Sequence, residues 1–173
     1  MEILENRQEW QTTFAAGWLR HYQETGQPNW DLYNRPNNKS APAGKAIDLR
    51  QSRLLLISSA GGYLPATQLP FDAENDLGDY TIRTFPVTTA PAQIAFAHSH
   101  YDHTAVNADQ QVLLPLGHLH DLVKAGVIGE LAPEVINFMG YQPDIGQVLD
   151  VTIPAILAAA KAMAVDGALL VPS

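Results

Sequence analysis

Six residues, Arg53-Leu54-Leu55-Leu56-Ile57-Ser58, limit the choice of fold more than any other stretch of this chain. Side chains of a strand alternate between faces, so a run that is apolar at consecutive positions needs cover on both sides. That predicts a central strand of an α/β sheet. The run leads directly into Ser58-Ser59-Ala60-Gly61-Gly62-Tyr63, where paired glycines let the backbone turn tightly and aim its amides at a ligand carboxylate or phosphate. Ser59, Gly61 and Gly62 are therefore candidate substrate-binding residues. A plain turn is the competing reading, because the spacing matches neither a dinucleotide fingerprint nor a phosphate loop.

Around this strand the rest of the chain falls into order. Trp10, Phe14, Trp18 and Tyr22 recur every four positions and predict a helix over about 3–24 with one aromatic stripe, stopped by Gly26 and Pro28. Such a stripe is read as packing, with a dimer contact as the alternative, and His21 as a surface histidine. Residues 29–51 are rich in Asn, Pro, Ala and Gly and read as an extended connector. Tyr80 to Phe85 alternates like a half-buried strand, and Ile94 to Ala97 reads as a buried one. A helix is expected over about 116–125, where His118 and His120 cannot face the same way. Glu134 to Met139 reads as a strand, Ile153 to Ala164 as a helix with Pro154 in its first turn, and Gly167 to Val171 as a last buried strand. The whole predicts an α/β domain over 51–173, a Rossmann-like three-layer sandwich with a mostly parallel sheet made of 54–58, 94–97, 135–139 and 168–171. Residues 1–50 add an N-terminal helix and connector.

Composition narrows the chemistry. The formal charge is −8, from 18 acidic and 10 basic residues among 173. An anionic partner such as nucleic acid or a membrane surface would be repelled, which favours a small-molecule substrate. There is no cysteine, so disulfides, thiolate metal sites and thiol nucleophiles on this polypeptide are excluded. No apolar run approaches the length of a membrane span and the first residues lack signal-peptide character, so a cytoplasmic protein is expected.

The densest chemistry is His98-Ser99-His100-Tyr101-Asp102-His103. At a strand end, alternation turns His98 and His100 the same way and leaves Asp102 and His103 in the turn beyond. Imidazoles and a carboxylate at this spacing suit a divalent metal, zinc first and iron second, with His98, His100, His103 and Asp102 as ligands. A hydrogen-bonded structural knot is the competing reading. The catalytic candidates are His98, His100, Tyr101, Asp102 and His103. In open α/β sheets ligands gather at the carboxyl ends of strands, so this tract and the Gly61-Gly62 turn are expected to share one crevice.

The succession Leu55-Leu56-Ile57-Ser58-Ser59-Ala60-Gly61-Gly62, Pro70-Phe71-Asp72, Gly78-Asp79, Arg83-Thr84-Phe85-Pro86, the histidine tract and Phe138-Met139-Gly140-Tyr141 resembles the glycine/sarcosine/betaine/D-proline reductase component B family. The resemblance implies reductive cleavage of a small amino-acid-derived substrate. It also implies a selenocysteine or cysteine that takes the substrate's α-carbon, and this chain has neither. Two expectations follow from that gap: an enzyme using a metal or its histidines with a thiol-bearing partner protein, or a non-catalytic substrate-binding subunit of such a partner. The tract also resembles the HxHxDH pattern of metallo-β-lactamase-type hydrolases, which leaves a metal-dependent hydrolase or lyase as a third expectation. A homodimer is a further possibility.

Overall fold

A computed structural model describes residues 4–40 and 44–173. The expected helix start at Ile3 and the Ala41-Pro42-Ala43 part of the connector lie outside the described residues. The aromatic stripe does fold as one helix: α1 (Arg7–Phe14) continues through a π-helical stretch, Ala15–Leu19, into α2 (Arg20–Thr25). Trp10, Phe14, Trp18 and Tyr22 stack in succession with ring centroids 4.8, 5.5 and 5.6 Å apart. The stripe packs inward on Tyr33, Ile145 and Leu149, and Arg7 bridges to Asp150 at 2.6 Å.

The strands are β1 (Arg53–Ser58), β2 (Gly62–Tyr63), β3 (Ile82–Pro86), β4 (Ala95–Phe96), β5 (Glu130–Leu131), β6 (Glu134–Phe138) and β7 (Gly167–Val171). The remaining helices are α3 (Thr104–Ala108), α4 (Leu116–Lys124), α5 (Ile145–Gln147) and α6 (Ile153–Ala162). β1 is the central strand. Along one side of it run β5, opposite Arg53 and Leu54, and then β6, opposite Ile57 and Ser58; along the other runs β7, and all these pairings are parallel. β3 closes the far edge antiparallel to β6, so the α/β sheet is mixed but mostly parallel. Each face of β1 has its own apolar cluster. Leu54 and Leu56 join Phe85, Leu114, Leu116, Leu119 and Val135 under α4, while Leu55 and Ile57 join Ile136, Met163, Ile156 and Ala159 under α6. The run that opened the sequence reading is thus buried on both sides, as its composition required.

Three expectations are corrected. Ile94 to Ala97 is not a strand of the main sheet: only Ala95–Phe96 is extended, and it pairs antiparallel with β2 in a separate ribbon. The physical reason is the Gly61-Gly62 turn, which carries the chain off the end of β1 and offers β4 a closer partner than any sheet edge. Secondly, β7 is not buried. It is an edge strand, with Leu169 37% and Leu170 67% exposed. Thirdly, the C-terminal helix starts earlier than Ile153. Asp144 caps it, its carboxylate accepting from Gly146 N at 2.8 Å, and α5 continues through a π-helical stretch, Val148–Thr152, into α6. Pro154 has no amide hydrogen to give to the preceding turn, and the wide turn lies directly before it. The joined helix, Ile145–Ala162, is long and apolar enough by length and composition to cross a membrane, which the shorter sequence reading did not anticipate. One side of it packs on the sheet and on the aromatic stripe.

Candidate functional site

The carboxyl ends of β1 and β6 lie side by side, with Ser58 in register with Asn137. From Ser58 to Gly62 the chain is buried throughout. Gly61 has φ +70°, and a Cβ there would stand 2.5 Å from Ala97 O, so the tight turn needs glycine. Its amide donates to Phe138 O, and its carbonyl accepts from Ala97 N, both at 2.9 Å. The amide of Ser59 donates to Val171 O at 3.1 Å and that of Ala60 to Ser58 Oγ at 3.3 Å. These three amides therefore serve the fold. The Ser59 hydroxyl meets the Ser173 amide at 2.8 Å and the Ser173 hydroxyl at 3.0 Å.

The glycine turn and the histidine tract meet at these strand ends, through the Ala97 amide on Gly61 O and the Tyr101 hydroxyl on Ala60 O. His98 is buried, 5% exposed. Its Nδ1 accepts the His100 amide at 3.1 Å, which leaves the proton of the neutral ring on Nε2. Burial, reinforced by the charges of His100 and His103, pushes its pKa down to about 4, so the ring is neutral at pH 7. A Cβ on Gly140 would lie 3.3 Å from His98 Nε2 and 3.2 Å from Ser59 Oγ. His98 and Ser59 therefore flank one spot beside Gly140, where a side chain would crowd both.

The other tract residues are held in separate tasks. His100 stacks on Tyr141 with centroids 3.7 Å apart. Tyr101 donates to Ala60 O at 3.2 Å and stacks on His103; burial pushes its phenol up to about 12, making it a hydrogen-bond donor and not a base at neutral pH. His103 Nε2 is hydrogen-bonded to His98 O. Asp102, just before α3, accepts from Thr104 Oγ1 at 2.7 Å and Thr104 N at 2.9 Å, and these bonds lower its pKa. Among the described residues no three His, Asp or Glu side chains converge as metal ligands must. The set expected to hold zinc or iron, His98, His100, His103 and Asp102, does not fit such an ion in this arrangement, because the four side chains do not converge on one point. Ala73, Glu74, Phe96 and residues 97–99 and 101–103 line a shallow groove of about 490 Å³.

Sequence reasoning placed His118 and His120 apart, and they are: His118 is exposed, while His120 Nε2 is bonded to Val87 O at 3.2 Å beside a second cavity of about 550 Å³. It overlooked Asn137, Gly140, Tyr141 and Ser173. Asn137 is wholly buried with neither side-chain polar atom partnered, and a Cβ on Gly62 would stand 2.7 Å from its Oδ1. A carboxamide inside the run Val135-Ile136-Asn137-Phe138-Met139 was the visible signal.

Comparison with known proteins follows this geometry. A family model described as glycine/sarcosine/betaine reductase selenoprotein B matches residues 25–171. D-proline reductase subunit gamma of Acetoanaerobium sticklandii is 30% identical over 123 residues, which are 71% of this chain and 49% of that protein. The chain thus spans about half the length of the curated relative it matches. No solved structure matches it.

Proposed function

Since the chain belongs to the glycine/sarcosine/betaine reductase selenoprotein B family, we propose that it seats a small amino-acid-derived substrate for reductive cleavage by a thiol that a partner protein supplies. The observation that carries this reading is the pairing of a buried, neutral His98 with Ser59 across Gly140 in a chain without cysteine. The relative's designation as a subunit supports a partner. The reading takes the sheet, covered on both faces, as a Rossmann-like three-layer sandwich whose crevice lies at the carboxyl ends of β1 and β6.

Cleavage of a carbon–nitrogen bond by this route takes two electrons. The amine leaves with the bonding pair and a proton, the carbon gains hydrogen, and two thiols of the partner become a disulfide. This chain's part is binding and proton handling. His98 Nε2–H donates a hydrogen bond to the substrate as a neutral group, and Tyr101, protonated at neutral pH, donates a second after releasing Ala60 O. The reading routes no step through a metal, since the histidine donors are held apart.

The absent thiol also favours a second reading, a subunit that binds substrate or partner without touching the chemistry. Titrating glycine, sarcosine, betaine and D-proline into the protein while following its imidazole NMR signals tests the substrate site on which the first reading depends. Binding of one of them that shifts His98 and is lost in His98→Ala supports a substrate site; binding of none, or binding indifferent to the substitution, overturns it.

A further inference from the structure

The groove beside the histidine tract has one wall that the tract does not supply. A loop between Phe71 and Asp79 brings Ala73 and Glu74 to it. Hydrogen bonds hold this loop in place: the Asp72 amide donates to Asp79 Oδ2 at 3.0 Å, the Gly78 amide to Asn75 O at 2.8 Å, and the Tyr141 hydroxyl to Asp76 O at 3.0 Å. The Ser99 hydroxyl donates to Ala73 O at 2.6 Å, which clamps the loop to the tract 26 residues further on. Glu74 therefore follows directly on a residue that the tract itself holds.

Charge sorts the groups around the groove. Its lining includes two carboxylates, Glu74 and Asp102, and no lysine or arginine. Asp102 is occupied by the amide and hydroxyl of Thr104. Glu74 is exposed, and its carboxylate makes no hydrogen bond or ion pair among the described residues. The donors belong to the tract. His98 is only 5% exposed, yet it lines the groove, and its Nε2 has no partner among the described residues while Nδ1 is engaged by the His100 amide. Tyr101, also in the lining, carries a second donor in its hydroxyl.

We propose that Glu74 recognises a positively charged nitrogen on the substrate, a role that rests on the reading that this groove seats an amino-acid-derived molecule. A zwitterion has two ends to satisfy. Its carboxylate matches the His98 and Tyr101 donors and is repelled by Glu74, whereas its nitrogen matches Glu74, the free carboxylate of the pair. The substrate is thereby oriented, nitrogen toward the Ala73-Glu74 loop. An adjacent carboxylate also favours the charged form of a nitrogen that can titrate. That form departs as a neutral amine when the carbon–nitrogen bond breaks and the amine takes the bonding pair.

Isothermal titration calorimetry tests this with four zwitterions and the four anions in which carbon replaces the nitrogen: glycine against propanoate, sarcosine against butanoate, betaine against 3,3-dimethylbutanoate and D-proline against cyclopentanecarboxylate. The proteins are the wild-type chain, Glu74→Gln and, with the same change in net charge at an exposed position of α1, Glu9→Gln. For a pair of this exposure, the wild-type chain is expected to bind at least one zwitterion about fivefold more tightly than its carbon counterpart. Glu74→Gln should lose that preference and Glu9→Gln should keep it. A zwitterion bound equally well by the wild-type chain and Glu74→Gln overturns the role of Glu74 and leaves the substrate site standing, as does a carbon counterpart bound as tightly as its zwitterion. An equal loss in Glu9→Gln overturns it as well, in favour of net charge alone. Failure of the wild-type chain to bind any of the four zwitterions overturns the substrate site and the role of Glu74 with it.

Discussion

His98 shows how much one side chain's surroundings decide. Its folded pKa, about 4, lies below the ordinary histidine value of 6.5, so between those pH values the unfolded chain binds more protons than the folded one. Stability therefore rises with pH through that window and is lost as pH falls from about 6.5 toward 4. The thermal midpoint should drop on acidification across this range, and His98→Gln, which cannot titrate, should flatten that part of the profile. A wild-type midpoint unchanged from pH 7 to pH 4 would show that the ring is not held neutral. Gly61 makes a second case. With φ +70° and a Cβ position 2.5 Å from Ala97 O, Gly61→Ala should cost about 2 kcal/mol or more in chemical denaturation, from left-handed strain together with the clash. A loss below ~0.5 kcal/mol would mean that the turn relaxes freely.

Among the elements, the N-terminal helix was read most directly from sequence, because a four-residue aromatic period allows only one face. Trp18, with no exposed surface, sits at the centre of its stack and contacts Phe14, Tyr22, Trp30 and Tyr33. Trp18→Ala should lower unfolding free energy by about 3–5 kcal/mol. It should also loosen the helix from Ile145 and Leu149, seen as faster amide exchange over residues 7–25 than over β1. Equal exchange in both regions would show that the helix and sheet unfold as one unit. The C-terminal helix was harder to read. Pro154 argued for a start at Ile153, whereas the helix is capped at Asp144 and passes through a π-helical stretch before the proline.

On the scale of the molecule, the chain belongs to the selenoprotein B family, and its lack of cysteine excludes a thiol adduct on this polypeptide. Mass spectrometry of the protein incubated with D-proline and dithiothreitol should find the unmodified chain mass, with no substrate adduct, because no thiol is present to form one. A trapped adduct on a residue of this chain would put the nucleophile here and remove the need for a partner.

The sequence by itself determined the central strand, the aromatic helix, the mostly parallel α/β sheet and the meeting of the glycine turn with the histidine tract. Each depends on a local period or on strand ends that any such sheet brings together. Tertiary structure decided what local pattern does not encode. The pairing of Ala95–Phe96 with Gly62–Tyr63 moved one expected strand out of the sheet. The separate hydrogen bonds of His98, His103 and Asp102 dispersed a tract whose spacing suggested convergence. Asn137 and Gly140 joined the site from a strand some forty residues away, as their partners across β1 dictated. The apolarity of β7 pointed to burial, but whether a strand is buried depends on its neighbours, and among the described residues β7 pairs with a strand on one side only.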